Sequence, residues 1–231
     1  MKSVFIYVQH LLGTGHLRRM EALADALAGR GLAVTLVSGG VDPPQCRSAK
    51  VTTVMLPAIK TDAGFSGLFQ ADGAVVTAAF KDRRKRRLLE LFAAAPWHAL
   101  LVEMYPFGRR RLRFELLPLL AAAGRRKQAG PPITVCSSVR DLLQGGRSAA
   151  RNREICELVE TYFDYVLVHS DRARIPFDLS FPLAARIQAR IVHTGYVTRA
   201  FAPAAAPSRR RRKPECCPGG GLARRPGQRL G

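Results

Sequence analysis

The bend Leu11-Leu12-Gly13-Thr14-Gly15-His16-Leu17 holds the residue types best suited to chemistry. Glycines let a backbone approach a ligand closely, and the free amides at a helix start favour an anion. His16 adds an imidazole, a group that titrates near neutrality and can take a proton from a reacting hydroxyl. The bland alternative is a histidine that caps the helix through one side-chain hydrogen bond. The third glycine of a dinucleotide fingerprint is missing. No Lys-Ser/Thr pair ends the bend, which excludes a P-loop.

Three further groups occur in similar settings. Glu103 closes an apolar run just before Tyr105-Pro106-Phe107-Gly108. A carboxylate there can bind hydroxyls or act as a base, and an ion pair with Arg109 or Arg110 is the alternative. Ser137, Ser138, Arg140 and Asp141 follow the next apolar run. Hydroxyls and a guanidinium suit sugar or phosphate recognition, and a structural turn explains them equally well. His169-Ser170-Asp171 follow a later run, where a lone histidine reads as structural, because a polar cap needs only one hydrogen bond.

Each group follows a segment that reads as a strand. Residues 2–9 are apolar and β-rich. Met20, Leu23, Ala24 and Leu27 then recur at helical spacing, with Arg18, Arg19, Glu21 and Asp25 on the opposite face. Gly29 and Gly31 supply the stop, and 32–37 is a second strand. Strands are predicted at 51–56, 98–103, 133–137, 165–169 and 191–194, with a Gly/Asp/Ser-rich loop up to about Gly73. Helices are predicted at 75–95, 110–123 and 152–163, the first with a basic middle from Lys81 to Arg87. Pro118 is predicted to kink or break the second of them. This rhythm predicts an α/β fold: one Rossmann-like, doubly wound, mostly parallel sheet over residues 1–200, with ligands at the carboxyl ends of its strands.

Composition narrows the classes. Of 231 residues, 47% are hydrophobic and 23% charged, enough for a buried core and against global disorder. No apolar run approaches the roughly 20 residues that span a bilayer, and a cytoplasmic location is the default reading. Cys46, Cys136 and Cys156 are scattered and Cys216-Cys217 are adjacent, so neither a disulfide framework nor a metal site is expected. The formal charge is +20; residues 208–231 hold eight basic residues and one acidic, leaving +13 on residues 1–207. Residues 201–231, rich in Arg, Pro, Gly and Ala, are expected to be a disordered tail. Their composition matches that of a shifted reading frame in GC-rich DNA. A nucleic-acid partner is disfavoured, since the tail has no aromatic residue for base stacking.

The strand, the Gly-Thr-Gly-His bend, the helix from Leu17 to Leu27 and the strand after Gly31 together resemble the N-terminal domain of GT-B fold glycosyltransferases. Their pattern is similar to that of the GlcNAc transferase completing the lipid-linked peptidoglycan precursor, whose bend has one more glycine before the histidine. Over residues 1–200 the chain looks like a group of predicted bacterial glycosyltransferases. The shared phrases are Tyr7-Val8-Gln9-His10, Pro106-Phe107-Gly108-Arg109-Arg110, Ser137-Ser138-Val139-Arg140-Asp141 and Thr194-Gly195-Tyr196. The resemblance implies an acceptor-side half-molecule. Gly13, Thr14 and Gly15 would face donor phosphates or acceptor, and His16 and Glu103 would be catalytic. Implied partners are a nucleotide-sugar donor such as a UDP-sugar and a carbohydrate or lipid-linked acceptor, with no metal or other cofactor. The basic clusters Lys81–Arg87 and Arg109–Arg113 then suggest weak contact with an anionic inner membrane face. With the donor half missing, little transfer is expected from this chain alone. A non-catalytic module that binds sugar or nucleotide with half a site is the alternative.

Overall fold

Apolar runs without alternation, such as Val4-Phe5-Ile6-Tyr7-Val8, need cover on both faces, which is the condition of a strand inside a parallel sheet. The computed structural model describes residues 1–198, and the expectation for residues 201–231 lies outside them. In chain order the elements are β1 Ser3–Val8, α1 Gly15–Gly29, β2 Ala33–Ser38, β3 Val51–Met55, β4 Ile59–Lys60 and β5 Phe69–Gln70. There follow α2 Ala78–Ala93, β6 Ala99–Glu103, α3 Arg113–Ala129, β7 Thr134–Arg140, α4 Ala149–Tyr162, β8 Tyr165–His169 and β9 Ile191–His193.

Seven strands form one sheet in the order β3-β2-β1-β6-β7-β8-β9, and every neighbouring pair is parallel. Ile6 lies between Leu36 and Leu101 in register. Val4, Ile6 and Val8 share a buried cluster with Leu17, Met20, Ala24 and Ala28 of α1. Phe5 and Tyr7 belong to the other cluster, with Phe80, Leu88 and Phe92 of α2 and Leu116 and Leu120 of α3. The sheet is therefore covered on two sides, a Rossmann-like α/β architecture. Its strand order reverses between β1 and β6. Loops leaving the carboxyl ends of these two strands diverge there and open a crevice, the usual ligand position in such sheets.

Several boundaries differ from the sequence reading. The helix expected at 75–95 starts at Ala78, because Val75 bridges to Phe69 and the Val76 amide donates to the Leu68 carbonyl. Thr77 then caps the helix, its hydroxyl accepting from the Phe80 amide at 3.2 Å. The loop before it contains the antiparallel ribbon β4–β5, two residues on each side. Helix α3 begins after a 3-10 turn, Arg110–Leu112, and runs through Pro118 to Ala129 without a break. Proline in the second turn removes one backbone donor, and burial of Glu115, Leu116, Leu119 and Leu120 holds the helix on both sides of it. No helix among the described residues is long and apolar enough to cross a membrane.

The basic run Lys81–Arg87 departs furthest from expectation. Arg84 is fully buried. Its Nε donates to Glu115 Oε2 at 2.7 Å, Nη2 to Gln9 Oε1 at 2.6 Å, and Nη1 to the carbonyls of Gly39 at 2.9 Å and Pro57 at 2.5 Å. The Tyr7 hydroxyl donates to Glu115 Oε1. Burial, and after it the neighbouring Glu115 charge, pushes the Tyr7 hydroxyl well above its ordinary pKa, so it stays a donor. One helix is thereby tied to β1, to the loop after β2 and to α3. Around it Arg83, Arg86 and Arg87 remain exposed.

Candidate active site

Helix α1 presents its first turn to the crevice. Gly13 precedes it at φ 73°, a backbone conformation for which glycine carries no steric penalty. Thr14 occupies the cap position without a side-chain hydrogen bond to the helix amides. His16 does not cap the helix either: its Nδ1 lies 2.5 Å from Glu103 Oε1. Strand β6 delivers Glu103 from the other side of the switch point, completely buried. The two residues named as candidates from separate parts of the sequence thus meet directly.

Two arginines complete the cluster. Arg19, one turn after His16, donates from Nη2 to Glu103 Oε1 at 2.9 Å. Arg109 places Nη2 3.3 Å from Glu103 Oε2. Arg110, the other partner considered for Glu103, pairs with Glu154 instead. Burial alone would raise the Glu103 carboxyl. The hydrogen bond from His16 and the charges of Arg109 and Arg19 outweigh it and hold the pKa below the ordinary value. Glu103 is consequently a carboxylate, which accepts hydrogen bonds and cannot donate them. The shared hydrogen therefore sits on His16 Nδ1, which donates it to the carboxylate. Arg109 has φ 58° and Met104, at the start of the same loop, φ 61°. Such conformations cost a non-glycine residue on the order of 1–3 kcal/mol and persist where the surroundings over-determine them, often at functional sites.

His16 forms a wall between two cavities. One, of about 490 Å³, is lined by Gly15, His16, Arg19, Arg140, Asp141, His169 and residues 196–198. The other, of about 580 Å³, has apolar walls of Leu11, Leu12, Phe65, Met104, Phe107, Leu142 and Leu143, with Arg109, Arg110, Arg111 and Arg140 beside them. Of the site candidates from sequence, Gly15, His16, Arg140 and Asp141 line these spaces, as does His169, read from sequence as structural. Gly13 and Thr14 line neither of the two, and Glu103 acts from behind His16.

Ser137 and Ser138 are placed differently from the turn expected after a strand ending at 137. Strand β7 continues to Arg140, and both serines are fully buried within it. Their pairing with β6 and β8 explains this, since flanking strands satisfy the backbone while the hydroxyls find partners of their own. Ser137 Oγ donates to the Tyr105 carbonyl at 2.7 Å, and Ser138 Oγ lies 2.7 Å from His169 Nε2. His169 Nδ1 is 2.7 Å from the Thr194 hydroxyl, so both ring nitrogens are occupied. Burial, reinforced by the Arg19 charge, lowers the His169 pKa to about 4.

Arg19 and the apolar cavity were not found from sequence. The helical pattern puts Arg19 on the face opposite Met20 and Leu23, yet it lies three residues from His16, a spacing that puts both on one face. That spacing was the available signal.

Comparisons with known proteins bear on the fold. The chain matches no protein-family model and no curated protein. Among solved structures it is similar to TcCGT1 in complex with UDP, at TM-score 0.52 and 15% identity over 90% of this chain and 54% of that one. Apo UGT2 of Phytolacca americana aligns at TM-score 0.49 and 12% identity, over 87% and 53%. CalG4, the calicheamicin glycosyltransferase, aligns at 0.45 and 14%, over 84% and 53%. The chain spans about half the length of these structures. Its Rossmann-like sheet corresponds to one half of a glycosyltransferase fold.

Proposed function

We propose that the chain is the acceptor-side half of a glycosyltransferase that moves a hexosyl group from a nucleotide-sugar donor to an acceptor hydroxyl. The observation that carries this reading is the His16–Glu103 contact at the wall shared by two cavities. The acceptor lies in the apolar cavity with its hydroxyl against His16 Nε2. Nε2 takes the hydroxyl proton as the oxygen attacks the anomeric carbon; the bond from that carbon to the diphosphate breaks, and the nucleoside diphosphate leaves with inversion. Glu103 orients the ring through Nδ1 and stabilises the imidazolium that forms, the geometry expected of a positioned general base. The first-turn amides of α1 and the Arg19 guanidinium, on the wall of the other cavity, meet the charge developing on the diphosphate. No metal takes part in the proposed reaction.

The decisive test is transfer from UDP-glucose and UDP-GlcNAc, measured on this chain and on a longer polypeptide joining it to a donor-binding Rossmann domain. The chain alone should transfer little. The longer polypeptide should transfer, and His16→Ala should lower its turnover by about 10²–10⁴-fold, the usual contribution of a general base. Unchanged turnover would remove His16 from its role. A lipid-linked acceptor and peripheral contact with an anionic membrane belong to the same proposal, supported by the exposed Arg83, Arg86 and Arg87. Liposome sedimentation at low salt checks the contact: anionic vesicles should retain the chain, and equal retention by neutral ones would count against it.

A further inference from the structure

The cluster behind His16 is unbalanced in charge. One carboxylate, Glu103, faces two guanidinium groups, and the side chains of Arg19 and Arg109 are only 15% and 12% exposed. Arg19 Nε, Arg109 Nε and Arg109 Nη2 are buried and make no hydrogen bond among the described residues. Arg109 Nη2 has Glu103 Oε2 at 3.3 Å as an ionic partner, but the pair is not aligned for a hydrogen bond. Buried donors and buried net charge are both unfavourable, and structures that keep them commonly do so for a ligand. An oxyanion at Arg109 would offset the surplus charge and bring an acceptor to that guanidinium.

The lining says from which side it comes. Arg109 borders the apolar cavity and not the cavity beside Gly15. Arg111 stands on the same rim, exposed, while Arg140 is partly engaged by Asp141 at 3.4 Å. A planar guanidinium fork next to aliphatic and aromatic walls fits a molecule with an acid group on an apolar body. Arg109 also has a left-handed backbone, φ 58°, a conformation that needs a reason to persist.

We infer that the acceptor is an amphiphile whose oxyanion, a carboxylate or a phosphate monoester, is bound by Arg109 at the rim of the apolar cavity. Its apolar body lies against Leu12, Phe65 and Leu142, and its hydroxyl faces His16. The role of this molecule as acceptor rests on the proposed transfer reaction; its binding does not.

Calorimetric titration of the 231-residue chain at low ionic strength tests the inference with small soluble probes. 4-Phenylbutyrate is compared with 4-phenylbutanol, and phenyl phosphate with phenol and with inorganic phosphate. Each acid should bind about tenfold or more tightly than its uncharged counterpart, as a charge-assisted contact requires. Phenyl phosphate should also exceed inorganic phosphate by about tenfold, because the ring buries apolar surface. The ranking of 4-phenylbutyrate against phenyl phosphate tells which oxyanion the fork prefers. Arg109→Gln should abolish the preference for acids, bringing 4-phenylbutyrate down to the affinity of 4-phenylbutanol on the same variant. Since that substitution also touches Glu103, the comparison of probes on the unaltered chain stands independently. Equal affinity for acid and alcohol would overturn the inference. So would a preference that survives Arg109→Gln, or inorganic phosphate binding as tightly as phenyl phosphate. Acid preference without any sugar transfer by the longer polypeptide would sink the enzymatic reading and leave this one intact. Transfer without acid preference would do the reverse.

Discussion

Among the described residues, the arginine–glutamate clusters around Glu115 and Glu103 are both buried, and they differ in almost everything except composition. Arg84 and Glu115 sit between α2 and α3 with one positive and one negative charge, and Tyr7, Gln9 and two backbone carbonyls take up the remaining bonds. Glu103, at the carboxyl edge of the sheet, faces two arginines and a histidine, with guanidinium donors left over and cavities on either side. The titration behaviour runs in opposite directions. Burial works against the Arg84 charge, yet Glu115 and Tyr7 more than offset it, so its pKa is raised. Burial also opposes the Arg19 charge, and there Glu103 does not compensate, so its pKa is lowered. A complete cluster holds the fold together; an incomplete one holds a place for something else.

The largest expected effect breaks the complete cluster. Arg84→Gln leaves Glu115 buried without its cation and should destabilise the chain by about 3–5 kcal/mol, the range for losing one partner of a buried pair. Urea denaturation at neutral pH measures this. A loss under about 1 kcal/mol would mean that water reaches Glu115, and the contrast between the clusters would lose its first half.

A smaller effect, tied to pH, comes from His169 behind the crevice. Its folded pKa of about 4 lies below the ordinary 6.5, so the unfolded chain takes up the proton first as pH falls. Stability from this residue is full above pH 6.5 and drains away between 6.5 and about 4. By pH 5 the loss should be on the order of 2 kcal/mol, following the linkage between protons and folding. Denaturation of the wild type and His169→Gln at pH 7.5 and pH 5 isolates this part. The variant should lose less stability over that interval, and equal losses would show that the ring is hydrated.

How much of this could be read from the residues depends on the distance over which partners meet. The β1–α1–β2 unit was legible because its apolar spacing switches from a continuous run to helical period and back within 40 residues, a local signal. The ribbon β4–β5 was not, since two residues per strand carry no period. His16 and Glu103 were each legible as candidates, because both follow apolar strands at the expected ligand edge. Their contact was not, for the two lie 87 positions apart and meet only because β1 pairs with β6. Arg84 shows the limit most clearly. Inside Lys81–Arg87 it looks like its neighbours, and only Gln9, Gly39, Pro57 and Glu115, brought together by folding, distinguish it. Ser137 and Ser138 mislead in the opposite way, as polar residues that end a hydrophobic pattern without ending the strand.

The smallest expected change is also the one that sharpens the comparison most. Arg19→Gln removes a cation from a cluster that has one too many. Glu103 retains its contacts with His16 and Arg109. The lowered pKa of Arg19 says that folding disfavours its charge, so losing that charge offsets the lost hydrogen bond to Glu103. Stability should shift by less than about 1 kcal/mol in either direction, against the several expected at Arg84. Urea denaturation of both variants side by side makes the test. A loss at Arg19 as large as that at Arg84 would mean that Glu103 needs both arginines for folding alone. The surplus charge would then be structural, and the case for a bound anion would rest on the unpartnered donors of Arg109 without support from the charge balance.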